Sequence, residues 1–284
     1  MSPAQDSAEP PAREPSSAES QHFARLSADA DPPSASELVE RLDFSARAPD
    51  APLRPYVILN MVSTVDGRAS IAGRSGAIGD RADRVLFHAL RASVDGVMAG
   101  AGTIRVERYG RIIPSEAARA GRLRRGLSEE PLACIVSGRL SLSPDTPLLA
   151  EPAAHVVILT PSAASVTGVA AQVEYVRAER DGRLDLPRAL AELSERFGLR
   201  TLLCEGGPHL NAELLMAGLV DELFLSLAPK LAGGEAVTGE SLRILAGGEF
   251  EQPLELELLG VLEHESHLFL RYAVRPKAHT AEHA

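Results

Sequence analysis

Short apolar runs, each stopping at glycine or a polar residue before an amphipathic segment begins, recur along this chain and restrict it to folds that alternate strands with helices. The clearest case is Leu202-Leu203-Cys204-Glu205-Gly206-Gly207-Pro208-His209-Leu210. Its apolar run ends at a carboxylate, two glycines permit close backbone approach, and Pro208 suits the first position of a helix. The free N–H groups of that helix start would face an anion. The same string also suits a plain strand-to-helix turn.

The pattern begins at residues 56–61, an apolar run leading into Ser63-Thr64-Val65-Asp66-Gly67. Asp80 and Asp83 then cap a helix whose stripe is Val85, Leu86, Ala89 and Leu90, and Arg91 closes it. Val97, Met98 and Ala99 form the next strand, running into Gly100-Ala101-Gly102-Thr103 and a further short helix. Strands are expected at residues 132–137, 156–160, 173–176 and 201–204, with helices at 187–197 and after Pro208. Helical segments between strands imply parallel neighbours. Beyond Asp221, residues 222–229, 254–262 and 267–274 read as strands with no long helix between them, so the sheet should finish antiparallel. The expected fold is a three-layer α/β arrangement, mostly parallel with antiparallel C-terminal strands.

Residues 1–51 are rich in Pro, Ala, Ser and acidic residues and read as a disordered arm. Within it Leu38, Val39 and Leu42 share a face and could form a short helix that docks on the body or on a partner. Residues 52–276 form one domain, and residues 277–284 a disordered tail. A net charge of −10 argues against nucleic acid as a main partner. The cluster Arg119, Arg122, Arg124 and Arg125 lacks interleaved aromatics and reads as a solvated loop or short helix. No apolar run approaches the roughly 18 residues of a membrane span, and no signal pattern opens the chain, so a cytoplasmic protein is expected. Cys134 and Cys204 sit in strand runs and read as buried, reduced thiols. His264 and His267 have no further ligands nearby in sequence, and no metal site is expected.

In parallel sheets, ligands bind beyond the carboxyl ends of the strands. There this chain gathers Gly100, Gly102 and Thr103, then Ser137-Gly138-Arg139, then Glu205 with its two glycines. Two glycine turns could flank a pyrophosphate, and Ser137 with Arg139 could take a further phosphate. This outlines a dinucleotide site, although Gly100-Ala101-Gly102-Thr103-Ile104-Arg105 lacks the third glycine of the Rossmann fingerprint. Asp66 before Gly67 reads either as a turn residue or as an active-site carboxylate, and Arg91 either as a substrate contact or as a cation on the last carbonyls of its helix.

Residues 60–67, Arg91, Gly100-Ala101-Gly102-Thr103, Glu205-Gly206-Gly207-Pro208, Leu219-Val220-Asp221-Glu222-Leu223 and Ala228-Pro229-Lys230-Leu231-Ala232-Gly233-Gly234 together resemble the reductase half of the riboflavin-biosynthesis deaminase-reductases. The resemblance implies a dihydrofolate-reductase-like fold, a homodimer, and NADPH-dependent reduction of a ribosylaminopyrimidine 5′-phosphate to its ribitylamino product. It places Thr103, Glu107, Ser137, Gly206, Gly207, Pro208, His209 and Leu210 against the nucleotide. It places Ser75, Arg91 and Glu205 against the small-molecule substrate.

Two departures stand out. The chain has no H-x-E and P-C-x-x-C deaminase pattern, which implies deamination by another protein. Pro114 also occupies the position of the family's substrate-phosphate arginine, with Arg111 the expected replacement. That change keeps open a different heterocycle such as dihydrofolate, and a non-catalytic nucleotide-binding or scaffold protein is a third reading.

Overall fold

The computed structural model describes residues 53–233 and 242–275, together with Glu37, Val39 and Phe44–Arg47. Nine strands form one sheet: β1 (Tyr56–Thr64), β2 (Gly96–Gly100), β3 (Leu132–Val136), β4 (His155–Leu159), β5 (Gln172–Val176), β8 (Thr201–Cys204), β9 (Glu222–Ala228), β10 (Leu256–His264) and β11 (His267–Val274). Their order is β10-β11-β9-β1-β8-β2-β3-β4-β5. A two-stranded ribbon of β6 (Glu179–Arg180) and β7 (Arg183–Leu184) stands apart.

Alternation along the central strands makes the three layers. Val57, Leu59, Met98, Cys134, Val157, Leu202 and Cys204 face one core, closed by Leu190 and Leu193 of helix Leu186–Phe197 and Leu214 of helix Pro208–Met216. Ile58, Val97, Ile135, Ile158 and Leu203 face the other, closed by Leu86 and Leu90 of helix Arg81–Ala92. Both faces being buried, these strands read as continuous apolar runs. Local signals set the helix ends. The Asp80 side chain accepts from the Asp83 N–H, Asp185 accepts from Arg188, and Gly198 ends its helix in the left-handed region.

The expected three-layer α/β fold is the one observed, with one revision at its finish. β9 runs parallel to β1, and β11 pairs antiparallel with both β9 and β10, so that β11 alone runs against the other strands of the sheet. Phe224, Leu225 and Leu227 therefore lie inside the sheet, between β1 and β11, while β10 forms the free edge. The arginine cluster also departs from expectation. Helix Glu116–Arg124 forms, but Arg122 is fully buried and donates to the carbonyls of Arg91, Ala92 and Val94 at 3.2, 3.1 and 2.7 Å. Burial lowers its pKa to about 10. Arg122, not Arg91, serves the last carbonyls of helix Arg81–Ala92.

Part of the acidic arm is docked. Val39 and Phe44 are buried in the second core, and the Phe44 ring meets Phe224 edge-on at 6.0 Å. Apart from Glu37, Val39 and Phe44–Arg47, residues 1–52, with Leu38 and Leu42 of the expected short helix among them, and the tail beyond Arg275 lie outside the described residues. Both cysteines are free and buried, and burial raises both thiol pKa values. Among the described residues, no helix is long and apolar enough to cross a membrane.

Candidate active site

A cleft of about 1070 Å³ opens across the carboxyl ends of β2, β3 and β8. Its position follows from the parallel order, since these three strands all end on the same side and each is followed by a polar or glycine turn.

Backbone forms one wall. The Gly100 N–H donates to Gly206 O at 2.7 Å, which joins the two glycine turns, and the Glu205 N–H donates to Met98 O at 2.8 Å. Gly206 takes φ +84°, and a side chain there would meet Asn211 and Met61 at 3.4 Å. A Cβ on Gly207 would stand 2.9 Å from Thr103 Oγ1. The Gly206–Gly207 peptide is cis. Gly100, Gly102, Thr103, Ser137, Arg139, Gly207, Pro208, His209 and Leu210 all line the cleft. Gly206 does not.

Side chains form the other wall. Arg91 reaches Glu205 with two hydrogen bonds, Nε to Oε1 and Nη2 to Oε2, both 2.7 Å, with the side chains 9% and 2% exposed. Tyr109 Oη donates to Oε2 at 2.5 Å. The guanidinium lies between two rings, 4.1 Å from the Phe87 centroid and 4.9 Å from that of Tyr109. Phe87 meets Arg91 because the two stand one turn apart on the same helix.

Burial alone would lower the Arg91 pKa, but the Glu205 carboxylate outweighs it and holds the guanidinium protonated. Burial and the same carboxylate push Tyr109 well above the ordinary phenol value. Glu205 thus accepts three hydrogen bonds from groups that keep their protons. Oε2 takes two of them, which leaves acceptor capacity on Oε1.

Ser75 and Glu107 also line the cleft and hold each other, the Ser75 N–H and hydroxyl both donating to Glu107 Oε1 at 2.9 Å. Two expected site residues lie elsewhere. Asp66 sits in an exposed turn outside the cleft, where its carboxylate takes the Gly233 N–H at 2.7 Å, the Ala232 N–H at 3.2 Å and the Thr64 hydroxyl at 2.5 Å. These bonds lower its pKa to about 2. Its observed task is to anchor the loop after β9. Arg111 is drawn away from the cleft by Glu130 at 2.6 Å and Glu129 at 3.7 Å.

The sequence reading overlooked Tyr109 and Phe87. Phe87 is signalled by its place four residues before Arg91. Tyr109 carries no comparable local mark. Arg84 and Arg108 also line the cleft, and neither forms an ion pair with a carboxylate among the described residues.

A mostly parallel sheet with antiparallel C-terminal strands, and a glycine-walled cleft that ends in a buried carboxylate, define an α/β domain with a candidate ligand site. Residues 55–268 match the RibD C-terminal domain, and the chain belongs to that family. It is 29% identical to the 2,5-diamino-6-ribosylamino-4(3H)-pyrimidinone 5′-phosphate reductase of Methanothermobacter thermautotrophicus, over 78% of this chain and 100% of that one. It is 30% identical to the protein of the same name from Aquifex aeolicus, over 69% of this chain and 84% of the relative. The crystal structure of a pyrimidine reductase-like protein from Corynebacterium diphtheriae superimposes with a TM-score of 0.65 at 23% identity, covering 84% of this chain and 99% of that one. This likeness supports the fold.

Proposed function

We propose that this chain reduces a ribosylaminopyrimidine 5′-phosphate to the ribitylamino product in riboflavin biosynthesis, using NADPH. The observation that carries the reading is the placement of Glu205, buried between Arg91 and Tyr109 and adjoining the joined glycine turns. A purely structural protein would gain little from a carboxylate held at the end of an open cleft. The names of the archaeal and Aquifex relatives agree with the reading.

The residues present fit a nicotinamide dinucleotide. A Cβ on Gly102 would have nothing within 4 Å, and one on Gly207 would stand 2.9 Å from Thr103 Oγ1. Gly100, Gly102, Thr103 and residues 207–210 would hold the pyrophosphate region, and Ser137 with Arg139 the 2′-phosphate. When bound, the cofactor supplies the hydride. The chain's own residues orient the substrate. Glu205 Oε1 accepts a hydrogen bond from a sugar hydroxyl, while Arg91 and Tyr109 keep the carboxylate from rotating. With Arg111 engaged by Glu130, the 5′-phosphate falls to Arg84 and Arg108. A cytoplasmic location and a homodimer belong to the same reading, and the exposed Leu256, Leu258 and Leu259 on the β10 edge offer an apolar surface for the second copy.

The test follows NADPH oxidation by the purified chain with the deaminated and non-deaminated ribosylaminopyrimidine phosphates and with dihydrofolate in parallel. Turnover of a pyrimidine phosphate, lost in Glu205→Gln with NADPH affinity retained, is the expected result. Oxidation with dihydrofolate alone would replace the substrate. Absence of NADPH binding by calorimetry would remove the reductase reading. Ser137→Ala and Arg139→Ala should each weaken NADPH about tenfold, or ~1.4 kcal/mol, and leave NADH unchanged.

A further inference from the structure

At the tip of the antiparallel pair, away from the glycine turns, His267 is 6% exposed, yet neither of its ring nitrogens has a hydrogen-bond partner. A buried imidazole without partners is costly. Its Nδ1 lies 3.4 Å from Asp80 Oδ2, at an angle that makes no hydrogen bond. Asp80 is half-committed: Oδ1 accepts the Asp83 N–H at 2.8 Å as the helix cap, while Oδ2 faces the hairpin. Across the turn, His264 pairs with His267, and the two intervening residues Glu265 and Ser266 both take positive φ. Residues directly paired across antiparallel strands project from the same face. The ligand atoms of Asp80, His264 and Glu265 lie within 4.8 Å of one another.

We propose that Asp80, His264 and His267, completed by Glu265, bind a divalent transition-metal cation of the zinc type, tying the β10–β11 hairpin to the first turn of helix Arg81–Ala92. Imidazole and carboxylate donors together suit Zn²⁺. In a tetrahedral site with bonds of roughly 2.1 Å, neighbouring ligand atoms stand about 3.4 Å apart. Asp80 and buried His267 already have that spacing, 3.4 Å. His264 and Glu265 are exposed and free to swing onto the ion. Asp80, as the N-cap, sets a carboxylate at the positive end of the helix. Glu265 stands between the two histidines in sequence, and the fold supplies the distant ligand, Asp80.

The full chain, freed of metal with a chelator, is titrated with Zn²⁺ alone by calorimetry at neutral pH, and its thermal unfolding is followed with and without Zn²⁺. Wild type should bind one Zn²⁺ per chain and unfold at higher temperature with it. His264→Ala, on the exposed side, should weaken binding at least about tenfold, the scale that even outer-shell partners show, and should abolish the thermal shift. Asp80→Asn, which keeps a capping side chain, should do the same. Absence of Zn²⁺ uptake by wild type, or uptake unchanged in His264→Ala and Asp80→Asn, overturns the site. Neither readout involves catalysis, so failure here leaves the proposed reductase activity untouched.

Discussion

Around Gly100 and Gly207 the cleft is walled by backbone, whereas around Glu205 it is walled by side chains that converge from distant parts of the chain. The backbone wall is tight for a Cβ at Gly207 and presents main-chain groups around Gly100 and Gly207. It suits a ligand recognised through N–H groups. The side-chain wall is the reverse, a buried ion pair clasped by two rings, whose geometry depends on every member being present. One wall is sensitive to added atoms and the other to removed ones.

The strongest way to break that contrast is Arg91→Ala. It leaves Glu205 buried without its partner, and a loss of about 3–5 kcal/mol in chemical denaturation is expected, together with loss of activity. A loss under about 1 kcal/mol would mean that water already reaches the pair. Tyr109→Phe keeps the ion pair and removes one hydrogen bond to it. That should cost about 2 kcal/mol, the range for bonds to charged groups, measured in the same way. On the backbone wall, Gly207→Ala adds a methyl that would stand 2.9 Å from Thr103 Oγ1. Dinucleotide affinity should fall about tenfold, or ~1.4 kcal/mol, by calorimetry, with stability nearly unchanged. Unchanged affinity would return Glu205-Gly206-Gly207-Pro208 to the status of a plain turn.

The smallest effect concerns Asp66, which belongs to neither wall. Its pKa is lowered to about 2 from the usual 3.8. A depressed carboxyl contributes stability that is complete above the unfolded value and disappears as pH falls through the folded one. Carbon NMR of the Asp66 carboxyl should therefore titrate near pH 2, with the Gly233 N–H losing protection over the same range. A midpoint at the ordinary aspartate value would remove the anchoring role.

The two walls also differ in how far the sequence exposes them. Gly100, Gly102, Gly207 and Pro208 act within a few residues of themselves, so apolar run, turn and helix start can be read together. The Arg91–Glu205 contact spans 114 residues and the Tyr109–Glu205 contact 96, and no local pattern announces either. Arg91 and Glu205 were reachable through family resemblance. Tyr109 was not, lying in the segment where this chain departs from the family. Arg122 shows the same limit from another side, since four arginines in seven positions look solvated until the fold buries one. The succession of the sheet strands along the chain was legible, but their order across the sheet was not. Nor was the direction of β9, because its connection from helix Pro208–Met216 is short and its pairing with β1 joins residues more than 160 positions apart.

Phe44 carries a consequence for anyone shortening this chain. Composition suggests a cut near residue 52, where proline-rich sequence gives way to apolar runs. Such a cut would also remove the Phe44 ring from Phe224 and Arg47 from Glu222, 3.3 Å away. The sheet face around Ile58 and Phe224 would then lie open to water, and the trimmed product would gain a sticky patch in exchange for a lost arm. A cut that spares these contacts lies upstream of Glu37, which has a partner of its own.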